Sequence, residues 1–148
     1  MTQRNPWLIV GGCLSLAASL LHIGCIIGGP DWYRFFGAGE AMAQAAERGE
    51  AYPALVTLAI AIILAIWGAY ALAGAGLIRR LPLMRTALVA ITAIYLLRGA
   101  ALIPALTVPA MSTPFNIWSS VTVLGYGLAY AIGTWRAWPS LSPKGKLV

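Results

Sequence analysis

The chain has 148 residues, of which 60% are hydrophobic and 9% charged, with a mean hydropathy of +0.81 and a net charge of +6. This composition excludes an ordinary soluble domain and is typical of a helical bundle in lipid. The positive charge does not indicate a nucleic-acid partner, because the basic residues lie at the ends of apolar segments, where they act as topology signals. The sequence therefore predicts one integral membrane domain over residues 1–148.

Four apolar segments follow one another, at about residues 7–28, 53–77, 86–106 and 117–138. Each holds roughly 20 or more residues, the length that a helix needs to cross a hydrocarbon core of about 30 Å. We therefore predict an all-α membrane protein, an up-and-down bundle of four transmembrane helices. The first segment has some features of a secretory signal, but it is long and lacks a small-x-small cleavage site, so we expect it to be retained.

The first connection begins with Gly-Gly-Pro at residues 28–30, which we expect to end the first helix. Four aromatic residues follow within residues 32–36, and such residues anchor a chain at the depth of the lipid headgroups. Residues 40–48 favour a short interfacial helix whose small apolar face comprises Ala41, Met42 and Ala45.

The same connection holds all four acidic residues of the chain: Asp31, Glu40, Glu47 and Glu50. Their spacing matches neither a calcium loop nor a glycosidase pair, so we expect a solvated acidic loop. One of them could still reach into the bundle, and Glu40 is the candidate because its helix could lie across the mouth of the bundle.

The later connections are shorter. The turn at residues 79–82 predicts an antiparallel hairpin of the second and third helices. Three prolines, Pro104, Pro109 and Pro114, are expected to end the third helix and stiffen the loop that follows it. Residues 139–148 are predicted to form a flexible cytoplasmic tail.

The basic residues predict the orientation of the chain. Seven of the ten lie on one side of the predicted membrane: Arg4, Arg79, Arg80, Arg85, Arg136, Lys144 and Lys146. By the positive-inside rule, both termini are then cytoplasmic and the acidic and proline-containing loops are external. We expect the inner membrane of a bacterium.

Small residues recur at helical spacing in three of the segments, which predicts a tightly packed bundle. They are Gly11, Ser15 and Ser19, then Ala61, Ala65, Ala69 and Ala73, then Gly125, Ala129 and Gly133. Alanine-rich membrane helices also show such stripes by chance, so the pattern does not assign a dimer surface.

Arg98 is the strongest single functional signal, because it lies about two residues outward of the centre of the third segment, where a charge is costly. Side chains lean toward the N-terminus of their helix, which for Arg98 means toward the membrane midplane. The four segments contain no Asp or Glu. The guanidinium must therefore be satisfied by carbonyls, hydroxyls, water, a loop carboxylate or an anionic ligand.

His22 is the single histidine of the chain and lies in the outer half of the first segment. It is either a hydrogen-bonded packing residue or a proton-handling group. Zinc needs three or four ligands, so we predict no metal site and no cofactor. Cys13 and Cys25 are about 18 Å apart along one helix, which excludes a disulfide between them.

The fourth segment carries larger side chains at intervals of four residues: Trp118, Thr122, Tyr126, Tyr130 and Thr134. We expect this face to point inward. Together with Tyr95 and Trp67 it could enclose an amphipathic pocket around Arg98, in which His22, Arg98 and Tyr126 line one cavity open to the outer leaflet. The alternative is that the aromatic rings fill the interior.

Three stretches, at residues 28–39, 73–83 and 95–99, resemble those of small bacterial four-span proteins of unknown activity, and the likeness covers most of the chain. The layout of four helices with a longer first connection also resembles that of the DoxX-like proteins. No functional motif can be matched residue by residue. The resemblance therefore implies a topology and no activity.

These observations favour a non-enzymatic binding or accessory protein. Its candidate ligand-binding residues are Arg98, His22, Tyr95, Tyr126, Trp67, Thr122 and Glu40. The expected partners are membrane lipid, an amphipathic anion, a second copy of the chain or another membrane protein. The alternatives are an oligomeric small transporter, since four helices rarely enclose a gated path, and a membrane enzyme that uses His22 and a loop carboxylate.

Overall fold

The computed structural model describes residues 4–141, and this part of the chain is helical, with no β-strand. The helices are α1 (Pro6–Phe35), α2 (Glu40–Glu47), α3 (Ala51–Gly74), α4 (Met84–Ala100), α5 (Leu102–Thr107) and α6 (Pro114–Ala137). Short 3-10 turns follow at Pro109–Met111 and Trp138–Leu141. The prediction of an all-α protein is confirmed.

Three stretches among the described residues are long and apolar enough to cross a membrane: Pro6–Phe35, Ala51–Gly74 and Met84–Thr107, the last formed by α4 and α5 together. Less than a third of each apolar window is buried within the chain, so most of its residues keep some surface available for contact with lipid. The length and composition are those of a membrane protein. α6 has 24 residues but is not among the three stretches.

The break expected at residues 28–30 is present, but it bends the helix instead of ending it. Gly29 has φ 67° and ψ −149°, outside the helical region, and Pro30 restarts a helical segment that runs to Phe35. Trp32 on this segment folds back against Gly28, where a β-carbon would collide with the indole ring. The aromatic residues after the break therefore belong to α1 and not to a loop.

Proline also determines where the third segment breaks. α4 ends at Ala100 and α5 begins at Leu102, because Pro104 has no N–H to donate to the carbonyl of Ala100. Pro109 and Pro114 occupy first positions of the next helical elements, where the missing N–H costs nothing.

Glycine allows the long helices to approach closely in two pairs. In the α1–α3 pair, a β-carbon on Gly12 would lie 3.1 Å from the carbonyl oxygen of Gly68, and the converse distance is also 3.1 Å. In the α4–α6 pair, a β-carbon on Gly99 would lie 2.7 Å from the α-carbon of Leu124. Such backbone contacts are how helices associate in lipid, where no hydrophobic force draws them together.

Contacts between α1 and α6 join the two pairs. The side chain of Leu8 fills a notch at Gly133 and is fully buried, and the ring of Tyr130 covers Gly11 in the same way. Asn5 adds a hydrogen bond from its Nδ2 to the carbonyl oxygen of Gly133 at 2.7 Å, while its Oδ1 caps the start of α1. The small-residue stripe predicted on α1 is thus buried, whereas on α6 its first member, Gly125, is exposed.

The short helix α2 packs on the C-terminal part of α1 and forms a small cluster with it. Ala43 is fully buried there against Cys25 and Tyr33. The packed face of α2 therefore includes Ala43 and Ala45, while Ala41, predicted on this face, is exposed.

Residues 139–141, the start of the predicted tail, lie in the last 3-10 turn, and Leu141 is buried against the core. Residues 142–148, the rest of the predicted tail, lie outside the described residues.

Candidate functional site

A chain of hydroxyl groups lies at the centre of the bundle. Ser15 Oγ is 2.8 Å from the hydroxyl of Tyr95 and 2.8 Å from the hydroxyl of Tyr130. Tyr130 Oη in turn donates to the backbone carbonyl of Trp67 at 3.0 Å. Ser15 and Tyr130 are fully buried and Tyr95 is 5% exposed, so these bonds form away from water.

The direction of every hydrogen bond in this relay is fixed. The Trp67 carbonyl can only accept, so the hydroxyl of Tyr130 donates its single hydrogen to it. Tyr130 must then accept a hydrogen bond from Ser15. Because Ser15 has donated its only hydroxyl hydrogen, it must accept from Tyr95. The relay therefore runs from Tyr95 through Ser15 and Tyr130 to the Trp67 carbonyl, with each hydroxyl hydrogen assigned to one bond.

Aromatic rings fill the space around the relay. The ring of Tyr95 makes edge contacts with Trp67 at 5.0 Å and with Tyr126 at 5.5 Å between centroids, and lies 5.3 Å from that of Tyr130. The structure thus brings together three predicted site residues, Tyr95, Tyr126 and Trp67. It brings them together as packing, which was the alternative to a pocket.

The face of α6 predicted to point into the bundle is buried only in the C-terminal half of this helix. Tyr130 and Thr134 are buried, but Trp118 is 71% exposed and Thr122 is exposed, with its hydroxyl bonded to the carbonyl of Trp118 on its own helix. A spacing of four residues advances about 40° more than a full turn, so over 16 residues the face rotates by about 160°. The prediction for Trp118 and Thr122 is wrong for this reason.

Arg98 lies in the last turn of α4, exposed on the seam between α4 and α6. Its guanidinium donates from Nη1 to Ser120 Oγ at 3.2 Å and from Nη2 to Ser119 Oγ at 3.3 Å. No carboxylate among residues 4–141 pairs with it. Of the partners that the sequence left open, the structure provides hydroxyls.

His22 is half-buried on α1, and its Nδ1 lies 2.7 Å from the carbonyl oxygen of Ala18 one turn earlier. This bond assigns the hydrogen to Nδ1, because a carbonyl can only accept. The expectation that His22, Arg98 and Tyr126 line one cavity is wrong, since Arg98 faces outward and Tyr126 packs on Tyr95.

Glu40 does not reach into the bundle. Its carboxylate accepts two hydrogen bonds from Arg34, from Nε at 3.0 Å and from Nη2 at 2.8 Å, and Glu47 accepts from the same arginine at 2.8 Å. The hydrogen bonds from Arg34 lower the pKa of the Glu40 carboxyl from its ordinary 4.5. The acidic residues of α2 thus tie this helix to the end of α1, which corrects the placement of Glu40 beside Arg98 or His22.

The described residues contain no group of three or more His, Cys, Asp or Glu side chains that could hold a metal ion. Cys13 is exposed, Cys25 is buried, and both are free thiols.

Two features were missed by reasoning from the sequence. Ser15 was read only as a small residue, although a serine on a buried stripe between helices that carry tyrosines could have signalled a hydroxyl network. At the other end of the bundle, the guanidinium of Arg85 lies 4.5 Å from the centre of the Trp138 ring, and that of Arg136 lies 5.9 Å from the centre of the Trp7 ring. These residues are far apart in the sequence, so their positions alone did not predict the pairs.

Comparisons of the chain with protein-family models, with curated proteins and with solved structures gave no match.

Proposed function

We propose that the protein is a non-enzymatic binding or accessory protein of a bacterial inner membrane, which holds the anionic group of an amphipathic ligand at Arg98. In this proposal α6 is a fourth span, α2 lies at the outer interface, and both termini are cytoplasmic. The observation that supports the ligand is an arginine exposed within a span-length apolar segment, with two neutral hydroxyls as its partners.

The cost of charge favours an anion at this position. Arginine costs about 2.5 to 3.5 kcal/mol at the centre of a membrane helix on insertion scales and less toward the interface, and two neutral hydrogen bonds offset part of the cost at Arg98. The guanidinium has five N–H donors, of which the serines take two. A carboxylate or phosphate oxygen would use the others and neutralise the charge, as no described side chain does.

The surroundings of Arg98 suit an amphipathic ligand. Ser119 Oγ donates to the carbonyl of Asn116 at 3.3 Å, so its lone pairs point toward the guanidinium of Arg98 and help to orient it. Leu97 and Trp118, next to these residues in the chain, are more than two-thirds exposed and could pack against an apolar tail. Ser119 and Ser120 follow the start of α6 by five and six residues, about 8 Å along the helix, so the anion would lie just inside the outer interface.

The enzyme alternative has less support. It required His22 and a loop carboxylate to act together, whereas the ring of His22 bonds to the Ala18 carbonyl and Glu40 bonds to Arg34. An oligomeric transporter remains an alternative in which Arg98 would lie at a subunit interface.

The test compares ligand retention in variants of the full-length protein. Arg98→Gln removes the charge and the guanidinium donors, whereas Arg98→Lys keeps the charge without those donors. Arg136→Gln is the matched control, because it removes another exposed arginine on a helix. Native mass spectrometry after purification in mild detergent would measure bound lipid, followed by titration of delipidated protein with a fatty acid, phosphatidylglycerol and phosphatidylcholine.

We expect Arg98→Gln to weaken binding of the anionic amphiphiles at least tenfold, since a charge-assisted hydrogen bond contributes about 1.5 to 3 kcal/mol. The affinity of Arg98→Lys for these amphiphiles should lie between those of Arg98→Gln and the wild type, and the affinity of Arg136→Gln should equal that of the wild type. Equal retention in Arg98→Gln and Arg136→Gln would contradict the proposal. Loss of a protein oligomer without any change in lipid binding would favour the transporter instead.

A further inference from the structure

The contacts between α3 and α4 run from the turn that joins these helices to the level of Trp67. Near the turn, the side chains of Met84 and Leu88 on α4 cover Gly74 of α3. Farther along, the rings of Trp67 and Tyr95 meet with 5.0 Å between their centroids. The two helices are thus antiparallel, so the residues that precede Trp67 on α3 lie opposite those that follow Tyr95 on α4.

Beyond Trp67 the side of α3 that faces α4 is exposed. Ile63 and Ile60 precede Trp67 by four and seven residues, which places them on the same face of the helix. They are 45% and 40% exposed. Ala61, whose carbonyl bonds to Ser19 of α1, is only 2% exposed at the same depth. Here α3 is therefore still packed on α1, while its face toward α4 is open.

The matching change occurs on α4. Ile91 and Tyr95 are 3% and 5% exposed, but Arg98, one turn beyond Tyr95, is exposed. Gly99 beside it packs closely on Leu124 of α6. At this depth α4 therefore keeps its contact with α6 and separates from α3.

This separation leaves an α3–α4 cleft, which we define by Ile60, Ile63, Trp67 and Arg98. The ring contact of Trp67 with Tyr95 forms its floor, and the two isoleucines form an apolar wall. The cleft is open to the lipid, and in this it differs from the closed cavity that the sequence predicted.

The guanidinium of Arg98 lies at the rim of the cleft. Its Nη2 donates to Ser119 Oγ at 3.3 Å. Ser119 precedes Tyr126 by seven residues, on nearly the same face of α6, and the ring of Tyr126 packs on that of Tyr95 at the floor. Seven residues of helix rise about 10 Å, so an anion at Arg98 would have an apolar cleft of about this depth beside it.

The chemistry of the cleft indicates its occupant. An empty gap would forfeit the dispersion contacts of its walls, and isoleucine and aromatic side chains offer a water molecule few hydrogen-bond partners. Hydrocarbon suits these walls. The guanidinium at the rim, which has no carboxylate partner among residues 4–141, favours a chain whose head group is anionic. A chain on Leu97, about 200° around α4 from Tyr95, would instead lie on the opposite side of α4 from the cleft.

We infer that the hydrocarbon chain of the amphiphile lies in the α3–α4 cleft, between Arg98 at the rim and Trp67 at the floor. This inference rests on the ligand proposed at Arg98 and specifies its class. The ligand is a long, flexible chain with one anionic head group, because a short-chain anion would leave the cleft unfilled.

The test compares neighbouring isoleucines of α3. Ile60→Trp and Ile63→Trp fill the cleft, whereas Ile62→Trp puts the same side chain at the same depth on another face of the helix, where Ile62 is 52% exposed. Binding of tritiated palmitate to delipidated full-length protein in mild detergent is measured for each variant and for Arg98→Gln. We expect both cleft variants to weaken binding at least about fivefold and Ile62→Trp to bind as the wild type does. Unlabelled butyrate should not compete.

A second measurement needs no cleft variant to fold. Palmitate with a photoreactive diazirine in the middle of its chain is cross-linked to the wild type, and the labelled residues are identified by mass spectrometry. We expect label within residues 60–67 of α3, competed by unlabelled palmitate and lost in Arg98→Gln. Label on Leu97 or Trp118 alone would overturn the inference, because the chain would then lie on the lipid-facing surface.

The outcomes separate this inference from the proposed function. If Arg98→Gln binds palmitate as tightly as the wild type, the proposed function fails and the inference fails with it. If Arg98→Gln weakens binding but Ile60→Trp and Ile63→Trp behave like Ile62→Trp, the anion site stands and the cleft is overturned. Competition by butyrate at the concentration effective for palmitate would likewise overturn the requirement for a long chain.

Discussion

Substitution of Ser15 should test whether the hydroxyl relay joins the helices as the structure shows. Ser15→Ala removes two interhelical hydrogen bonds, to Tyr95 and to Tyr130, with almost no change in volume. Interhelical hydrogen bonds in membrane proteins average about 0.6 and reach about 1.7 kcal/mol, so at about 1 kcal/mol for each of these buried bonds the two together contribute about 2 kcal/mol. Tyr130→Phe also removes two bonds, because it loses the Trp67 carbonyl, and should cost about 2 kcal/mol as well.

Tyr95→Phe should lower the free energy of unfolding by about half as much, about 1 kcal/mol, because Tyr95 makes only one of these hydrogen bonds. Its loss leaves Ser15 with an unused lone pair, which costs less than an unpaired donor. In the double variant Ser15→Ala/Tyr95→Phe the same two bonds are missing as in Ser15→Ala alone. Its cost should therefore stay near 2 kcal/mol and not rise to the additive value of about 3 kcal/mol.

Reversible unfolding in mixed detergent micelles, followed by circular dichroism, would measure these differences. Ser19→Ala calibrates the scale, since Ser19 lies on the same helix and makes one interhelical bond, to the carbonyl of Ala61 at 2.7 Å. A cost for Ser15→Ala no greater than that for Ser19→Ala would refute the relay. Equal costs for Tyr95→Phe and Tyr130→Phe would contradict the second hydrogen bond of Tyr130, to the Trp67 carbonyl.

Three further outcomes are expected. Cysteines at Ser112 and Ser140, in a chain without its native cysteines, should be labelled from opposite sides of the membrane if α6 is a span, and labelling from one side would exclude it. Gly99→Ala should destabilise the protein by about 1 to 3 kcal/mol, because the new β-carbon would meet the backbone of Leu124, whereas Gly125→Ala has open space and should be neutral in the same unfolding assay. The lowered pKa of Glu40 means that its contribution to α2 is complete above about pH 4.5 and is lost as the pH falls through the lowered value. Hydrogen exchange of α2, corrected for intrinsic rates, should therefore be constant from neutral pH to pH 4.5 and accelerate below it, and acceleration already above pH 4.5 would contradict this sign.

The helices could be predicted from the sequence because apolar length and proline position are local signals. Three of the predicted segments lie within about three residues of α3, α4 with α5, and α6, and the first begins one residue after the start of α1, with the break at residues 28–30 where it was predicted. That the chain continues as helix to Phe35 could not be predicted, because it depends on the packing of Trp32 against Gly28.

The site was harder to predict, because it depends on which face of each helix meets a neighbour. The inward lean of Arg98 toward the midplane was inferred from helix geometry, but the rotation of α4 about its own axis decides whether the side chain faces the core or the seam with α6. Glu40 was similarly placed by its position in the chain. Its partner, Arg34, comes from the helical continuation after Gly29, which the sequence pattern assigned to a loop.

The hydroxyl relay also limits how the helices can move. Its four members come one each from α1, α4, α6 and α3, so all four long helices are joined at a single level of the bundle. A slide of any one helix by a turn, about 5.4 Å, would break at least one of its bonds, whereas a small tilt of one helix pair against the other would leave them intact. The level of Ser15 is therefore the natural pivot of the bundle, and a tilt of one helix pair against the other should rock about this level.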